Sequence, residues 1–257
     1  MKRLFAVCLI LILCLSLMGC ASSNQVYEKY TKTFFGTFDT VITIQGFSQS
    51  KEAFDKAADQ AESLFQTYHR LYDNYHPYEG LNNVYTLNQE ASKAPVVVDK
   101  ALFELIKFCK DHYEQTLGKN NIALGSVLSL GHDARSDSIS EPEKAYLPDP
   151  ERLKRAAIHT DINDIVLNAA DMSVCFADPD LSIDLGAVAK GYATELVAQE
   201  MLKSEVTSFY INAGGNVRLG SGPMDGRDNW GVAIQDPDKS VFGDVNSDLM
   251  DVLFLHN

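Results

Sequence analysis

The sequence is short of cysteine, of basic residues and of long apolar runs, and each shortage excludes a class of protein. Only five of its 257 residues are cysteine, and only Cys109 and Cys175 lie beyond residue 20. Two cysteines are too few for a disulfide framework, and neither has the spacing of a metal ligand. We expect both side chains to be buried as small apolar groups.

Basic residues are outnumbered by acidic ones. The 22 lysines and arginines face 35 aspartates and glutamates, which gives a net charge of −13. Nucleic acids are bound mainly through basic side chains that neutralise phosphates, so this balance argues against a nucleic-acid partner. It also argues against an extended basic face that would bind a membrane surface.

The longest apolar run, Leu4–Leu17, contains 14 residues. A transmembrane helix needs about 20. Because Lys2 and Arg3 precede the run, residues 1–19 have the form of a secretory signal peptide. Its removal would change the net charge of the chain from −13 to −15.

The run ends in "LMGC", which places Cys20 where a bacterial lipobox has its lipidated cysteine. We therefore expect residues 20–30 to be a lipidated tether and the protein to be extracytoplasmic, anchored to the bacterial cell membrane by acyl chains. The alternative is an ordinary signal peptide with a chance cysteine.

The rest of the chain has no internal repeat, and its patterns interleave strands with helices. Apolar residues at three- and four-residue steps predict a helix after Ser50, and further helices are predicted after Asp99, after Asp149 and up to about Lys203. Strands or hairpins are predicted in the segments Thr33–Phe47, "DIVLN", "SVCFA", "SFYINAGGNVRLGS" and "WGVAIQDPD", with another ending near Asp184. We interpret Leu117–Asp133 as a strand and turn and Ala134–Pro150 as an exposed excursion. The order predicts an α+β fold of mixed sheets packed with helices.

The segment "IDLGAVAKGYATE" (Ile183–Glu195) has the composition of a phosphate site. Gly186 lets a ligand approach the backbone at a predicted helix start, where free amides attract anions. Lys190 adds a cation, and Asp184 can accept hydrogen bonds. The alternative is that Asp184 only caps the helix and Lys190 is a solvated surface residue.

Two other segments are candidates for ligand contact. The "NAGGN" turn (Asn212–Asn216) exposes amides, although by itself it is better explained as a tight hairpin turn. The other is Asn121–Asp133 together with the Tyr75 loop, where Tyr75 and its neighbouring tyrosines could stack on a flat ring, or could pack under a loop. His76 and His132 have no partner at metal-ligand spacing and no GxSxG serine is nearby, so we expect neither a zinc site nor a serine hydrolase.

Together these segments resemble one family, the bacterial flavin transferases called ApbE, or FAD:protein FMN transferases. The resemblance covers about Thr31 to Asp238. The motifs that carry it, in the family's order, are "FGTFDT", "YEGLNNVYTLN", "NIALGSVLSLGHD", "DLGAVAKGYA", "NAGGNV" and "WGVAIQDP".

The resemblance implies an ApbE-like layered fold and an enzyme that binds FAD with Mg²⁺. Such enzymes transfer FMN to a threonine of a partner and release AMP. The partner would be the flavin-acceptor subunit of a membrane redox complex or an extracytoplasmic flavoprotein. By position in the family's motifs, the implied FAD contacts are Phe35, Tyr75, Lys119, Asn120, Asn121, Asp184 and Lys190. The implied magnesium ligand is the carbonyl of Ala187.

The sequence departs from the family at several positions. Phe35 stands where methionine is usual, Asn121 where many relatives have aspartate, and Leu130-Gly131 where many have a tryptophan. The family's S-G-D-Y-x-R-Y and H-H-I-I-D-P segments and its metal-binding aspartate–threonine pair are absent from the sequence. We therefore expect residues 31–257 to be a transferase domain that is incomplete at the C-terminus, with its catalytic residues unknown. A non-catalytic FAD-binding remnant and an FAD pyrophosphatase remain alternatives.

Overall fold

The computed structural model describes residues 26–237 and 249–255. The predicted signal peptide, Cys20 and the first part of the predicted tether lie outside these ranges. The strands are β1 (Glu28–Thr37), β2 (Thr40–Ser48), β3 (Val96–Val97), β4 (Ile165–Asn168), β5 (Ser173–Phe176), β6 (Phe209–Ala213), β7 (Asn216–Leu219), β8 (Trp230–Gln235) and β9 (Leu249–Leu255). The helices are α1 (Lys51–Tyr72), α2 (Val84–Glu90), α3 (Lys100–Asp111), α4 (Gly125–Ser140), α5 (Pro150–Ala156) and α6 (Ala189–Met201).

The main sheet is antiparallel and has the order β1-β2-β6-β7. Ile42 and Ile44 on β2 are fully buried, and they share the main core cluster with Phe54 and Phe65 of α1. Helix α1 packs on this sheet beside α6. A smaller core cluster contains Trp230 at the start of β8. A two-layer core of this kind matches the α+β fold predicted from the sequence.

Two smaller sheets complete the fold. Strands β3, β5 and β4 pair in that order, and β8 pairs with β9. The predicted hairpin of "DIVLN" and "SVCFA" is confirmed as β4 and β5. Among the described residues, no helix is long and apolar enough to span a bilayer.

Helix α1 forms as its apolar period predicts. Its first turn is capped by Ser50, whose hydroxyl accepts a hydrogen bond from the Ala53 amide at 3.2 Å. The helices predicted after Asp99 and Asp149 are confirmed as α3 and α5, and each of the two aspartates caps its helix. Strand β1 begins at Glu28, so the last residues of the predicted tether pair with β2 instead.

Three of the predictions from pattern are wrong. Leu117–Asp133 is not a strand and turn, because a 3-10 turn (Ile122–Leu124) leads directly into α4. The predicted excursion Ala134–Pro150 begins inside α4, and only its second half is an exposed connection. No strand ends near Asp184, and α6 starts at Ala189 rather than at Gly186.

The cysteines agree with expectation in part. Cys109 is a buried free thiol, and burial raises its pKa to about 12. Cys175 is also free but only half-buried, since alternate residues of β5 point to opposite faces of its sheet.

Candidate functional site

A cleft of about 280 Å³ opens where helix α4 lies against the segment that precedes α6. Four parts of the chain form its walls: the loop after α1, helix α2, the first half of α4 and the segment around Ile183. The residues that define this Asp184 cleft include Tyr75, Asn88, Gly125, His132, Ile183 and Asp184.

The floor of the Asp184 cleft is an extended segment without a neighbouring strand. The side chain of Asn88 takes the place of that strand: its amide donates to the Ile183 carbonyl at 2.9 Å and its oxygen accepts from the Ile183 amide at 2.8 Å. On the other side, the Gly125 amide donates to the Ser182 carbonyl at 3.1 Å. These bonds satisfy the backbone groups that a sheet would otherwise satisfy.

Helix α4 approaches this floor very closely at Gly125. A Cβ atom built there would lie 2.7 Å from the carbonyl carbon of Ser182 and 2.6 Å from its hydroxyl oxygen. Only glycine fits this contact, because real Cβ atoms do not approach backbone atoms so closely. The glycine therefore sets the width of the Asp184 cleft.

Asp184 lies at the end of the floor, and both of its carboxylate oxygens are engaged. One accepts from the Gly186 amide at 2.7 Å, and the other accepts from the Asn74 side chain at 3.0 Å. The Gly186 amide is thus occupied by Asp184 in this structure. Asp184 therefore caps the turn at Gly186 but not the helix, because the N-cap of α6 is Val188 and has no side-chain cap hydrogen bond.

The backbone N–H groups that remain free to attract an anion lie about one turn further along the chain, at the start of α6. The amides of Val188 and Ala189 donate to the Leu185 carbonyl. In the first turn of α6, the amides of Lys190 and Gly191 have no acceptor among the described residues. The Lys190 ammonium forms no ion pair within that same part of the chain. This turn combines a full positive charge with free N–H groups at a helix start.

Tyr75 forms the opposite wall and stacks on His132. The two ring centroids are 4.6 Å apart with an interplanar angle of 30°, and the Tyr75 hydroxyl lies 3.3 Å from His132 Nδ1. Burial raises the pKa of the Tyr75 phenol, and the nearby negative charge of Asp184 adds to this effect. The phenol therefore remains a neutral hydrogen-bond donor at physiological pH.

The loop that carries Tyr75 is held by one buried carboxylate. Asp73 accepts hydrogen bonds from the amides of Tyr75 (2.7 Å) and His76 (3.2 Å), from the His76 ring (3.0 Å) and from the Tyr78 hydroxyl (2.9 Å). Burial alone would raise the pKa of Asp73, but these donors outweigh it and the pKa lies below its usual value. His76 therefore has a carboxylate partner, and His132 has an aromatic partner in Tyr75.

The remaining predicted contacts lie elsewhere. Asn121 caps the 3-10 turn by accepting from the Ala123 amide at 2.9 Å, next to the Ile122 carbonyl that accepts from the Asp184 amide. Phe35, 70% exposed on β1, is not among the described residues that line the cleft, and neither are Lys119 and Asn120. The structure therefore joins Tyr75 and Asp184 in one cleft, and places Asn121 behind its floor.

The "NAGGN" turn forms the predicted hairpin. Asn212 accepts from the Gly215 amide at 2.8 Å, so its oxygen is used within the turn. Gly214 has φ +56°, and a Cβ there would lie 2.2 Å from the Thr40 hydroxyl oxygen. The two turns of the main sheet therefore meet closely at this end. Nearby, the hydroxyl of Thr37 in "FGTFDT" is buried and has no partner among the described residues.

The sequence analysis missed Asn74 and Asn88 and gave His132 no role at the site. Asn88 was visible as the last residue of "YEGLNNVYTLN", but its role as a strand substitute depends on a segment 95 positions away. His132 was visible only if Leu117–Asp133 had been interpreted as a helix. In that case Gly125, Leu128 and His132 fall on one helical face.

Three residues of types that can bind a metal ion, His159, Asp178 and Asp180, lie together outside the Asp184 cleft. His159 Nδ1 is 2.8 Å from an Asp178 oxygen and His159 Nε2 is 3.8 Å from Asp180. The Asp180 amide and the His159 ring lower the pKa of Asp178. None of the three lines the cleft among its described residues, so the cleft chemistry does not depend on them.

The Treponema pallidum protein named FAD:protein FMN transferase is 32% identical over 163 residues, which are 59% of this chain and 43% of that protein. A Klebsiella pneumoniae protein of the same name is 28% identical over 76% of this chain and 56% of its own length. The chain thus spans about half the length of these curated relatives.

Among solved structures, the ApbE protein of Thermotoga maritima has the same fold. The TM-score is 0.72 at 23% identity, over 89% of this chain and 68% of that one. A model of the ApbE family matches residues 38–256. This match covers most of the sequence and every motif of the Asp184 cleft, and it shows that the chain belongs to the ApbE family.

Proposed function

We propose that this protein binds FAD with Mg²⁺ in the Asp184 cleft and transfers the FMN half to a threonine of a partner flavoprotein, releasing AMP. The observation that carries the proposal is the pairing of Tyr75 with Asp184 across one cleft. Relatives named FAD:protein FMN transferase support the reaction type.

The two ends of the site suit the two parts of FAD. A flat ring stacks favourably on the half-exposed face of Tyr75. The diphosphate carries negative charge, which an acidic protein accepts only where local positive groups face it. Lys190 and the free amides at the start of α6 would supply those groups from just beyond the cleft, since neither Lys190 nor Gly191 is among the described residues that line it.

The residues present also fit Mg²⁺, which prefers oxygen ligands and retains several waters. Ala187 lies in an exposed turn, and no amide of the described residues donates to its carbonyl. The Asp184 carboxylate lies three residues before it. Mg²⁺ held by these oxygens would neutralise charge on the diphosphate.

The proposed reaction is an in-line displacement. The threonine oxygen of the partner bonds to the phosphorus of the FMN half, while the bond from that phosphorus to the bridging oxygen breaks. AMP leaves with the bridging oxygen, and the hydroxyl proton is lost from the threonine. Such transfers depend mainly on positioning and charge neutralisation. We assign no base among the described residues.

The proposed partner is the flavin-acceptor subunit of a membrane redox complex or an extracytoplasmic flavoprotein, and the proposed location is the outer side of the cell membrane, with Cys20 lipidated. The pattern of residues 1–20 supports this location. Metabolic labelling with a fatty acid tests it: the wild-type chain should incorporate label and Cys20→Ala should not. Equal labelling of both chains would refute the anchor.

The activity is tested by incubating the chain with FAD, Mg²⁺ and a flavin-acceptor domain. In-gel flavin fluorescence reports covalent transfer, and chromatography reports AMP and free FMN. The Treponema relative serves as positive control, and an acceptor with its target threonine changed to valine as negative control. We expect Asp184→Asn to reduce transfer at least tenfold by loosening the floor of the cleft.

The outcomes separate the alternatives. Covalent flavin on the acceptor supports the transferase. Free FMN and AMP without covalent flavin would identify an FAD pyrophosphatase. Tight Mg²⁺-dependent FAD binding without products would identify a non-catalytic binder. No binding at all, under conditions where the relative is active, would overturn the proposal.

A further inference from the structure

Tyr75 is held in place by two separate parts of the protein. Its backbone amide donates to Asp73, which fixes the loop. Its ring is 48% exposed and would be free to rotate without a second support. The stacked ring of His132 supplies that support, whereas the ring of His76, at 6.5 Å between centroids, is tilted and more distant.

The orientation of His132 is itself fixed by helix α4. Arg135 Nη2 lies 3.2 Å from His132 Nδ1, and a guanidinium group only donates hydrogen bonds. Nδ1 is therefore the acceptor, and its single lone pair is shared between Arg135 and the Tyr75 hydroxyl 3.3 Å away. The ring proton is then on Nε2, which faces the Ser136 hydroxyl oxygen at 3.5 Å. Arg135 and Ser136 lie one helical turn after His132.

We propose that His132 is a positioning residue for FAD: it holds the Tyr75 ring at the angle at which its open face meets the flat ring of the cofactor. This inference rests on the proposed function. Helix α4 thereby contributes to the affinity for FAD through Tyr75. Arg135 supports it by fixing the tautomer of His132.

The chain contains a matched control for this role. His112 also packs on an aromatic ring, Phe108, with centroids 4.1 Å apart and an interplanar angle of 31°, and its Nδ1 lies 2.9 Å from the Phe108 carbonyl oxygen. Neither residue of this second pair is among the described residues that line the Asp184 cleft. His112→Ala therefore removes a comparable surface stack without touching the cleft.

The test is a double-mutant cycle in FAD affinity, measured by flavin fluorescence with Mg²⁺ present. We expect His132→Ala to raise the Kd roughly two- to tenfold, the range of one aromatic pair. His132→Phe, which keeps a stacking ring, should retain most of the affinity, and His112→Ala should have no effect. In a Tyr75→Ala background, His132→Ala should change the Kd by less than about twofold, because its action passes through Tyr75.

A second readout does not require FAD. Fluorotyrosine placed at position 75 should give a fluorine signal that shifts and narrows on His132→Ala, as the ring becomes mobile, and remains unchanged on His112→Ala. The positioning role is wrong, and the proposed function stands, if FAD binds but His132→Ala and Tyr75→Ala act additively. The same holds if the fluorine signal does not change on His132→Ala. If the wild-type chain binds no FAD, both are overturned.

Discussion

Helices α1 and α4 are both long, but they bury very different faces. Helix α1 buries seven of its 22 residues against the main sheet and α6. Helix α4 buries only Gly125 and Ala134 of its 16 residues and presents Leu128, Ser129 and His132 to the Asp184 cleft. Helix α1 therefore packs the core, whereas α4 forms one wall of the cleft.

The largest effect should come from removing a ring of α1. Phe65 is fully buried, so Phe65→Ala should lower the free energy of unfolding by about 3–5 kcal/mol. The matched substitution in α4, Leu128→Ala, removes a side chain that is 47% exposed and should cost less than about 0.5 kcal/mol. Urea unfolding of both variants measures the difference. Similar losses would show that α4 also carries the core.

The second effect compares two glycines of α4. Gly125 has helical dihedral angles, so alanine is strained there only by its contact with Ser182, and Gly125→Ala should cost about 1–3 kcal/mol. Gly131 has open space around its Cβ position, and Gly131→Ala should stabilise the chain by about 0.5–1 kcal/mol. Thermal unfolding distinguishes them, and FAD binding should fall only for Gly125→Ala. Equal behaviour would contradict the close approach at Ser182.

The third effect concerns Asp73, which follows the last residue of α1 and holds the loop that carries Tyr75. The pKa of Asp73 is lowered on folding, so its ionised form stabilises the folded state at pH values above the unfolded pKa, and this contribution is lost as the pH falls through the folded pKa. Asp73→Asn should therefore cost about 1–2 kcal/mol at neutral pH. The two stability curves should converge below about pH 4. A constant gap across this pH range would exclude the charge as the cause.

The smallest effect concerns how the two helices begin. Helix α1 has a side-chain cap at Ser50, whereas α4 continues from a 3-10 turn and has no such cap at Leu124. Ser50→Ala should cost about 1 kcal/mol. Ser50→Asp, which retains an acceptor, should restore most of the loss in urea unfolding. Failure of the aspartate variant to recover stability would assign the loss to packing instead.

The same contrast explains what the sequence could predict. Helix α1 was predictable because its buried positions recur at helical spacing from Phe54 to Leu71. Helix α4 was mistaken for a strand and turn because its glycines, serines and few apolar residues form no buried stripe. One face of α4 lines the Asp184 cleft instead of packing on the core. Its residues therefore need not be apolar, and the sequence shows no hydrophobic period there.

The site was predictable to the extent that its motifs are local. Tyr75 and Asp184 were identified from short segments, and the structure places both at the cleft. The position of the free amides was wrong by about one turn, since Asp184 occupies the Gly186 amide and α6 begins at Ala189. The predicted FAD contacts are Phe35, Tyr75, Lys119, Asn120, Asn121, Asp184 and Lys190, and these, like the magnesium ligand Ala187, remain predictions. The expectation of a C-terminally incomplete domain also stays a prediction.

The side-chain clamp of Asn88 on Ile183 has a consequence for how the protein opens. The side-chain amide of Asn88 forms both hydrogen bonds to Ile183, which lies 95 positions further along the chain. When these two bonds break, the hydrogen bonds within the helices and sheets stay intact. Local unfolding of the floor therefore requires far less free energy than global unfolding. The Ile183 amide should exchange with deuterium much faster than the Ile44 amide in the main sheet, and a cofactor that spans the floor should slow it by the same free energy with which it binds.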